Sequence, residues 1–211
     1  MKLPGKLITF EGIDGSGKTT LVRLVHAALQ QTTAEVVLTK EPGGTTLGKE
    51  LRAILHTQKA LVCDLAEYLL FAADRAQHFH EIIVPALQRG AIVLADRLAD
   101  SSLAYQGYGR GLNTEQIART NAWAMQGLQP DLVVFCKIDP AIAAQRIRQR
   151  NEALTSFEQE KIDFWQRVDA GYEAIFAQRT NVLRIDASQP SDIQADLVVN
   201  ALQAPVRRSS I

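Results

Sequence analysis

Residues 10–20 read Phe-Glu-Gly-Ile-Asp-Gly-Ser-Gly-Lys-Thr-Thr and contain the spacing G-x-x-x-x-G-K-[ST] of a phosphate-binding loop. Its glycines would let successive backbone N–H groups curl around phosphate oxygens, because they take backbone angles closed to other residues. Lys18 would place its ammonium on the terminal phosphates, and the Thr19 hydroxyl would complete the shell of a bridging Mg²⁺ ion. The motif therefore predicts that the chain binds a nucleoside triphosphate. The residues predicted to surround it are Gly12, Ile13, Asp14, Gly15, Ser16, Gly17, Lys18, Thr19 and Thr20.

The segments on either side of this loop support the prediction. Residues 7–10 form a short apolar run typical of a buried strand, and Leu21, Leu24, Val25 and Leu29 recur at helical spacing. A strand, a loop and a helix in that order are what the motif requires. The helix would also direct the positive end of its dipole at the bound phosphates.

A second group of polar residues follows the third of five apolar, β-branched segments. Asp96 and Arg97 come directly after residues 91–95, where a phosphate-loop enzyme carries the acidic residue that reaches Mg²⁺. A forked guanidinium such as that of Arg97 is suited to a bidentate grip on a phosphate. A helix N-cap is the alternative role for Asp96, and a surface ion pair is the alternative for Arg97.

A long predicted helix contains Phe71 and Arg75, which share one face because they are four residues apart. A flat ring beside a forked donor could stack on a nucleobase and hydrogen-bond its carbonyl edge, although a helical phenylalanine more often belongs to the core. Arg146, Arg148 and Arg150 crowd the end of another predicted helix. They could form a mobile flap that brings positive charge to a transferring phosphoryl group, or simply a solvated helix face.

Strands and helices alternate along the chain, and this order predicts an α/β fold with a parallel sheet covered on both faces. The ligand crevice of such a sheet lies beyond the carboxyl ends of its strands, where these polar residues fall. We expect one domain over residues 1–205, with a lid at about 146–160 and a frayed tail at 206–211. The predicted strands are 7–10, 35–39, 91–95, 132–136 and 182–185, and the predicted helices are 18–30, 46–57, 65–89, 114–127, 141–150, 157–178 and 191–203.

The composition narrows the class of partner. The 211 residues carry 23 basic and 23 acidic side chains, and this balance gives no electrostatic footprint for nucleic acid or a membrane surface. No segment approaches the roughly 18 uncharged residues of a membrane helix, and no signal-like apolar core follows Met1. Cys63 and Cys136 lack the spacing of a metal or redox site. We therefore expect a cytoplasmic protein that binds small anionic ligands, with no nucleic-acid or membrane partner.

Four segments together resemble the thymidylate kinase family over nearly the whole chain. They are residues 10–20, Glu-Pro-Gly-Gly-Thr at 41–45, Leu-Leu-Phe-Ala-Ala-Asp-Arg at 69–75, and Asp-Arg-Leu-Ala-Asp-Ser-Ser-Leu-Ala-Tyr-Gln-Gly at 96–107. The phosphate loop is shared by many families, whereas the last segment is much more specific. The resemblance implies a P-loop NTPase fold of the nucleoside monophosphate kinase type, with a five-stranded parallel sheet, a flexible lid and usually a homodimer. It also implies transfer of the γ-phosphoryl group of ATP to dTMP, giving dTDP and ADP with Mg²⁺ as cofactor.

The same resemblance assigns roles to individual residues. Asp14 would face the deoxyribose 3′-hydroxyl, Phe71 would stack on thymine, and Arg75 would hydrogen-bond the carbonyl edge of the base. Arg97 would bind the dTMP phosphate, and Tyr105 would crowd the sugar 2′ position. The expected dTMP-binding residues are Asp14, Glu41, Pro42, Phe71, Arg75, Arg97, Ser101, Ser102, Tyr105 and Gln106, and those expected at the metal are Thr19 and Asp96.

The lid departs from the family pattern. Some members carry an arginine inside the phosphate loop, where this chain has Ser16, so the cation that stabilises the transition state should come from the lid. Bacterial-type members carry Asp-Arg-x-Glu there, but residues 155–158 of this chain are Thr-Ser-Phe-Glu. We hypothesise that Arg148 or Arg150 substitutes for the missing arginine. The expected catalytic residues are Lys18, Arg97, Asp14, Arg148 and Arg150.

The sequence leaves two other functions open. A kinase of another nucleotide, such as dUMP, or of a deoxynucleoside would use the same loop. A GTPase-like switch would need an Asn-Lys-x-Asp motif, and none of the five asparagines is followed by lysine. Rates across a panel of nucleoside monophosphates would distinguish these kinases from one another.

Overall fold

The computed structural model describes residues 3–31, 35–57, 62–150 and 153–203. Within these residues, strands and helices alternate along the chain. The first half contains β1 (Lys6–Glu11), α1 (Lys18–Gln30), β2 (Val36–Lys40), α2 (Thr46–Thr57), α3 (Asp64–His78), a π-helical turn (Phe79–Ile83), α4 (Val84–Gln88) and β3 (Ile92–Asp96). The second half contains α5 (Ala99–Ser102), a π-helical segment (Leu103–Gly109), α6 (Thr114–Ala124), β4 (Leu132–Lys137), α7 (Pro140–Gln149), α8 (Ile162–Phe176), β5 (Val182–Asp186) and α9 (Ser191–Gln203).

The strands pair in parallel in the order β2-β3-β1-β4-β5, with β1 in the centre between β3 and β4. Phe10 of β1 stands opposite Asp96 of β3, so these two strands end side by side. The phosphate loop and the Asp96-Arg97 pair therefore meet at one edge of the sheet. Ligands of open α/β sheets bind at that edge, beyond the carboxyl ends of the strands.

Both faces of the sheet are covered by helices, which is why the strands read as continuous apolar runs rather than alternating ones. On one face, Ile8 and Phe10 belong to a buried cluster with Leu21 of α1 and the aromatic side chains of α8. On the other face, Leu7 packs in a cluster with Phe79 and the apolar side chains of α4. Burying each large side chain of this kind contributes about 1.5–3 kcal/mol, so β1 is anchored from both sides.

The structure confirms the α/β fold and corrects several predicted helix boundaries. The segment predicted at 65–89 is helical but is interrupted by the π-helical turn, and α6 ends at Ala124 rather than at residue 127. The helix predicted from residue 157 begins only at Ile162. The reason is a turn at 156–159, which the Glu158 carboxylate stabilises by accepting a hydrogen bond from the backbone N–H of Thr155 at 2.8 Å.

Residues 99–109 are helical although the sequence predicts no helix there. Glycines at 107 and 109 usually indicate a turn, and they mask the helical pattern. The structure gives Gly109 another role, because a Cβ atom at this position would lie 2.7 Å from the Phe164 ring of α8. Close packing of the π-helical segment against α8 therefore requires the glycine.

The predicted lid corresponds to the end of α7 and the described segment 153–160. The tail predicted at 206–211 lies outside the described residues. No helix in the described ranges is long and apolar enough to cross a membrane.

Candidate active site

A cleft of about 880 Å³ opens at the carboxyl ends of β1, β2 and β3. Its floor is the phosphate loop, and its walls come from the segment after β2, from α3, from the residues after β3 and from the lid. Every residue that the sequence assigns to dTMP lines this cleft, as do Thr19 and Asp96. Six of the nine residues assigned to the triphosphate line the cleft. The other three, Gly12, Ile13 and Ser16, are buried within the loop itself.

The phosphate loop is shaped by its glycines. Gly12, Gly15 and Gly17 have φ angles of 140°, 80° and 87°, which other residues rarely adopt. A Cβ atom on Gly12 would also lie 2.6 Å from the backbone oxygen of Cys136, so the loop sits tightly on β4. The resulting curl brings Gly15 and Gly17, which have no side chain, to the cleft side of the loop, beside the Asp14 carboxylate.

Lys18 folds over the loop and is almost completely buried. Its Nζ donates to the backbone oxygen of Ile13 at 2.7 Å and to Ser16 Oγ at 3.3 Å. Burial, and next the charge of Arg97, lowers the pKa of Lys18 to about 8. The ammonium is therefore held in place at the loop, where a bound phosphate would stabilise its charged form.

Thr19 and Asp96 form a direct link between the first turn of α1 and the end of β3. Thr19 Oγ1 donates to Asp96 Oδ2 at 2.6 Å. Asp96 does not cap the following helix, because α5 begins after Leu98. A hydroxyl and a carboxylate are the hard oxygen ligands that Mg²⁺ takes at nucleotide sites, with phosphate oxygens and water filling the remaining positions. The donor set fits that ion.

Arg97 is the centre of a hydrogen-bond network at the bottom of the cleft. Its backbone has φ 71°, which is uncommon for any residue but glycine. Its side chain is largely buried, so it does not form the surface ion pair considered from the sequence. The guanidinium donates to the backbone oxygen of Gly12 (2.9 Å), Ser101 Oγ (2.9 Å), Tyr172 OH (3.1 Å), Asp14 Oδ1 (2.5 Å) and Tyr105 OH (2.9 Å).

The network sets the charge states of its members. Burial lowers the pKa of Arg97, but Tyr105 and Asp14 more than offset this effect and leave the pKa well above its usual value. Burial also raises the pKa of Asp14, yet the charges of Arg97 and Lys18 hold it below its usual value. At the floor of the cleft the Asp14 carboxylate therefore lies between two cations, Lys18 and Arg97, which are the groups available to bind phosphates.

Arg75 is held rigidly on the α3 wall of the cleft and is only 1% exposed. Its guanidinium contacts Glu41 Oε2 at 2.8 Å, Asn121 Oδ1 at 2.7 Å and Ser102 Oγ at 3.2 Å. Within the described part of the chain, its Nε has no hydrogen-bond partner. One turn earlier, Phe71 is partly buried and also lines the cleft. A planar ring and a fixed donor thus stand on the same wall.

Tyr105 and Gln106 come from the π-helical segment. The Tyr105 hydroxyl accepts from Arg97 and from the backbone N–H of Asp14 at 3.1 Å, while its ring lies edge-on to Trp165 of α8 with centroids 5.9 Å apart. Gln106 donates to Glu67 Oε1 at 2.9 Å and is buried. Both side chains are therefore fixed by packing.

The segment predicted to be a lid packs against α2 and α3. Ser156 Oγ donates to the backbone oxygen of Leu55 at 2.8 Å. The Phe157 ring is 5% exposed, and its centroid lies 5.9 Å from those of Phe71 and Tyr105. Glu160 accepts from Arg110 at 2.6 Å, a residue of the neighbouring loop. These contacts close one side of the cleft.

The arginines of the lid take different positions. Arg150 lines the cleft and pairs with Glu158. Arg146 also lines it and donates to the backbone oxygen of Ala187 at 2.9 Å. Arg148 is exposed and does not line the cleft. Of the two arginines expected to replace the family's lid arginine, only Arg150 faces the site.

Several cleft residues were not assigned from the sequence. These include Phe157, Glu158 and His56, which line the cleft. Burial lowers the pKa of His56 to about 4, and the positive charge of Arg52 is the next-largest cause. Glu11 and Tyr172 lie directly behind Arg97. The only sequence signal for Glu11 is a carboxylate at the end of an apolar strand, next to the phosphate loop.

Comparisons with known proteins agree with this geometry. Residues 10–197 match the family model described as thymidylate kinase. The chain is 47% identical over 199 residues to a thymidylate kinase of Solidesulfovibrio magneticus, covering 90% of this chain and 95% of that protein. It is 42% identical over 209 residues to one of Desulfovibrio desulfuricans, covering 95% and 96%. The crystal structure of thymidylate kinase from Ehrlichia chaffeensis superimposes with a TM-score of 0.77 and 33% identity, covering 94% of this chain and 99% of that chain.

Proposed function

The chain belongs to the thymidylate kinase family, and on this basis we propose that its cleft transfers the γ-phosphoryl group of ATP to dTMP, giving dTDP and ADP. The observation that carries the proposal is the Arg97 network. It joins the phosphate loop, through Gly12 and Asp14, to Tyr105 beside the Phe71 wall. A donor triphosphate on the loop and an acceptor monophosphate on that wall would therefore meet at one guanidinium.

Catalysis in this cleft is positioning and charge neutralisation. The dTMP phosphate oxygen is already a nucleophile, so no covalent intermediate is needed. The loop N–H groups and Lys18 would hold the triphosphate, and Arg97 would hold the acceptor phosphate in line with it. The Lys18 ammonium, held by Ile13 in the free protein, would exchange that contact for phosphate oxygens. Each positive group then faces the charge that builds up during transfer.

Thr19 and Asp96 are the residues that would hold Mg²⁺ in our proposal. Their oxygens lie 2.6 Å apart, so both can contribute to one shell, directly or through water. When bound, the ion neutralises charge on the β- and γ-phosphate oxygens. The residues themselves orient the first turn of α1 against the end of β3.

The α3 wall supports a pyrimidine acceptor. Phe71 would stack on the base, and the fixed guanidinium of Arg75 would donate to its carbonyl edge. The ion pair between Glu41 and Arg75 would hold the guanidinium in the position that this contact requires. Tyr105, tied to Arg97, would crowd the 2′ position of the sugar and so disfavour ribonucleotides.

For the lid we propose Arg150 as the cation that reaches the transferring phosphoryl group. Its side chain faces the cleft, whereas that of Arg148 faces solvent. Pairing with Glu158 keeps Arg150 near the site before it engages phosphate. Phe157 would help exclude water, which otherwise competes as the acceptor.

We propose a homodimer formed through α3 and α6. These helices border a groove of about 550 Å³, and two of the apolar residues that line it, Leu65 and Leu69, are exposed. Leu65 and Leu69 of α3 are 55% and 52% exposed, and Trp123 of α6 is 84% exposed. Contiguous exposed apolar residues mark protein interfaces, and a self-complementary face suits a twofold dimer. Sedimentation analysis tests this, with Leu69→Glu expected to yield monomers and Leu24→Glu, on the distant α1, expected to leave the dimer intact.

Small nucleotides are the partners we propose, without nucleic acid or membrane. The balanced charge of the chain supports this view. Both cysteines, Cys63 and Cys136, are free thiols, which supports a reducing compartment such as the cytoplasm. The location itself stays a prediction.

An acceptor panel tests the proposed reaction. ADP formation from ATP is followed with dTMP, dUMP, CMP, AMP and thymidine as acceptors, with and without Mg²⁺. We expect turnover with dTMP to exceed that with CMP or AMP by at least about 100-fold, since the base wall discriminates by hydrogen bonding, and to exceed that with thymidine similarly, since thymidine has no phosphate for Arg97 to hold. Equal rates with CMP or AMP would contradict the assignment, and so would turnover of thymidine alone.

A further inference from the structure

Glu11, the last residue of β1, is a completely buried carboxylate behind the cleft. Its Oε1 accepts from the backbone N–H of Leu98 at 2.8 Å. Its Oε2 accepts from Ser101 Oγ at 2.5 Å and from Tyr172 OH at 3.1 Å. A buried carboxylate with three directed donors, from the residue before α5, from α5 and from α8, is placed to organise its surroundings.

Two of these donors also contact Arg97. Ser101 Oγ and Tyr172 OH lie 2.9 and 3.1 Å from Nη1 of Arg97, and 2.8 Å from each other. A hydroxyl carries one hydrogen, and an ionised carboxylate can only accept. The hydroxyl hydrogens of Ser101 and Tyr172 must therefore each point to Glu11 or to the other hydroxyl. Each oxygen then presents a lone pair to Arg97. The carboxylate, which only accepts, and the guanidinium, which only donates, thus fix the polarity of both bridges together.

The backbone of Arg97 depends on the same carboxylate. Its φ of 71° is strained for a residue other than glycine and persists only where neighbouring contacts hold it. The bond from the Leu98 N–H to Glu11 fixes the peptide that follows this residue. Glu11 therefore constrains Arg97 at its backbone and, through the hydroxyls, at its guanidinium.

We infer that Glu11 is a positioning residue that aims the Arg97 guanidinium at the phosphate of the acceptor nucleotide, an inference that rests on the proposed function. Glu11 does not line the cleft and so acts only through its neighbours. Burial raises the pKa of Glu11 to about 7, and the negative charge of Asp100 is the second-largest cause. Measurements at pH 8 therefore examine the carboxylate form.

The decisive variant is Glu11→Gln, assayed at pH 8. Glutamine keeps the shape but replaces one acceptor oxygen by an N–H₂ group, so either the Leu98 N–H or the two hydroxyls lose their acceptor, and Arg97 loses a restraint on its backbone or on its guanidinium. We expect the KM for dTMP to rise about tenfold and kcat to fall about tenfold, as when a residue behind a reacting group is lost. The KM for ATP should stay within about twofold. Glu173→Gln is the matched control, because Glu173 pairs with Arg184 on the exposed side of α8 and should behave like wild type.

A second variant keeps the inference testable if Glu11→Gln does not fold. Tyr172→Phe retains the ring but removes one bridge, and its KM for dTMP should rise about threefold while that for ATP is unchanged. A wild-type KM for dTMP in Tyr172→Phe overturns the inference, and so does an equal rise for both substrates in Glu11→Gln. If the wild-type protein had no activity on dTMP, the proposed function itself would be wrong. Failure of the inference about Glu11 is therefore distinguishable from failure of the proposed function.

Discussion

The phosphate loop and the lid face each other across the cleft, but different forces hold them. The loop is fixed by its own backbone, through glycines with positive φ and through the bond from Lys18 to Ile13, five residues earlier. The lid is fixed by side chains that reach distant elements, such as Ser156 on Leu55, 101 residues away. Because the shape of the loop depends on local backbone geometry, a short sequence motif predicts it. Long-range contacts instead decide which lid side chains face the site.

The largest expected effect is the loss of the loop cation. Lys18→Met should lower kcat/KM for ATP by about 10³-fold, because a preorganised charge at the transferring group is removed from a partly desolvated site. Steady-state kinetics measure this, and thermal unfolding checks that the variant is folded. A loss below tenfold would mean that the loop backbone alone carries phosphate binding.

The next effect separates two lid arginines. Arg150→Ala should lower kcat about 50-fold at saturating substrates, because a charge facing the transferred group is lost. Arg148→Ala is the matched control and should change kcat less than threefold, since its side chain lies in solvent. If both variants lost the same activity, the assignment of roles within the lid would be wrong.

A pH titration sharpens the contrast between loop and lid. Lys18, with a pKa of about 8 in the free protein, must be charged to hold phosphate. ATP affinity should therefore be nearly full at pH 7 and below and fall as pH rises through 8, by about tenfold between pH 7 and pH 9. Calorimetric titration measures this. The Arg150→Ala variant should keep the same pH dependence, and an affinity that is flat over this range would contradict the low pKa.

The smallest effect concerns lid docking. Phe157→Ala removes the ring that contacts Phe71 and Tyr105, so the KM for dTMP should rise about fivefold. If this segment opens as a lid, the melting temperature should change little, because a segment that opens locally contributes little to global unfolding. Leu154→Ala, an exposed lid residue, is the control and should leave the KM unchanged. A large drop in melting temperature for Phe157→Ala would indicate that the lid belongs to the core.

The sequence was a good guide where function depends on short spacing. The loop, the Asp96-Arg97 pair at a strand end and the Phe71 and Arg75 pair on one helix face could all be placed at the same cleft. Their geometry follows from strand and helix periodicity alone. The choice between Arg148 and Arg150 could not be made in the same way, because it depends on how the lid folds back.

Glu11 and the π-helical segment show a second limit. Glu11 acts through Leu98, Ser101 and Tyr172, which are 87 to 161 residues away, so no local pattern reveals the network. The π-helical segment is held by packing against α8 at Gly109, and its glycines suggest a turn instead. Tertiary packing overrides local propensity at both places.

The two tryptophans occupy opposite environments. Trp165 is 5% exposed and adjoins Tyr105 beneath the cleft, whereas Trp123 stands 84% exposed on α6. Indole emission is blue-shifted and protected from soluble quenchers in an apolar interior, and red-shifted and quenched in water. The unlabelled chain therefore carries two fluorescent probes, one beneath the cleft and one on the face proposed for self-association. Two variants that each keep a single tryptophan would allow the two signals to be recorded separately.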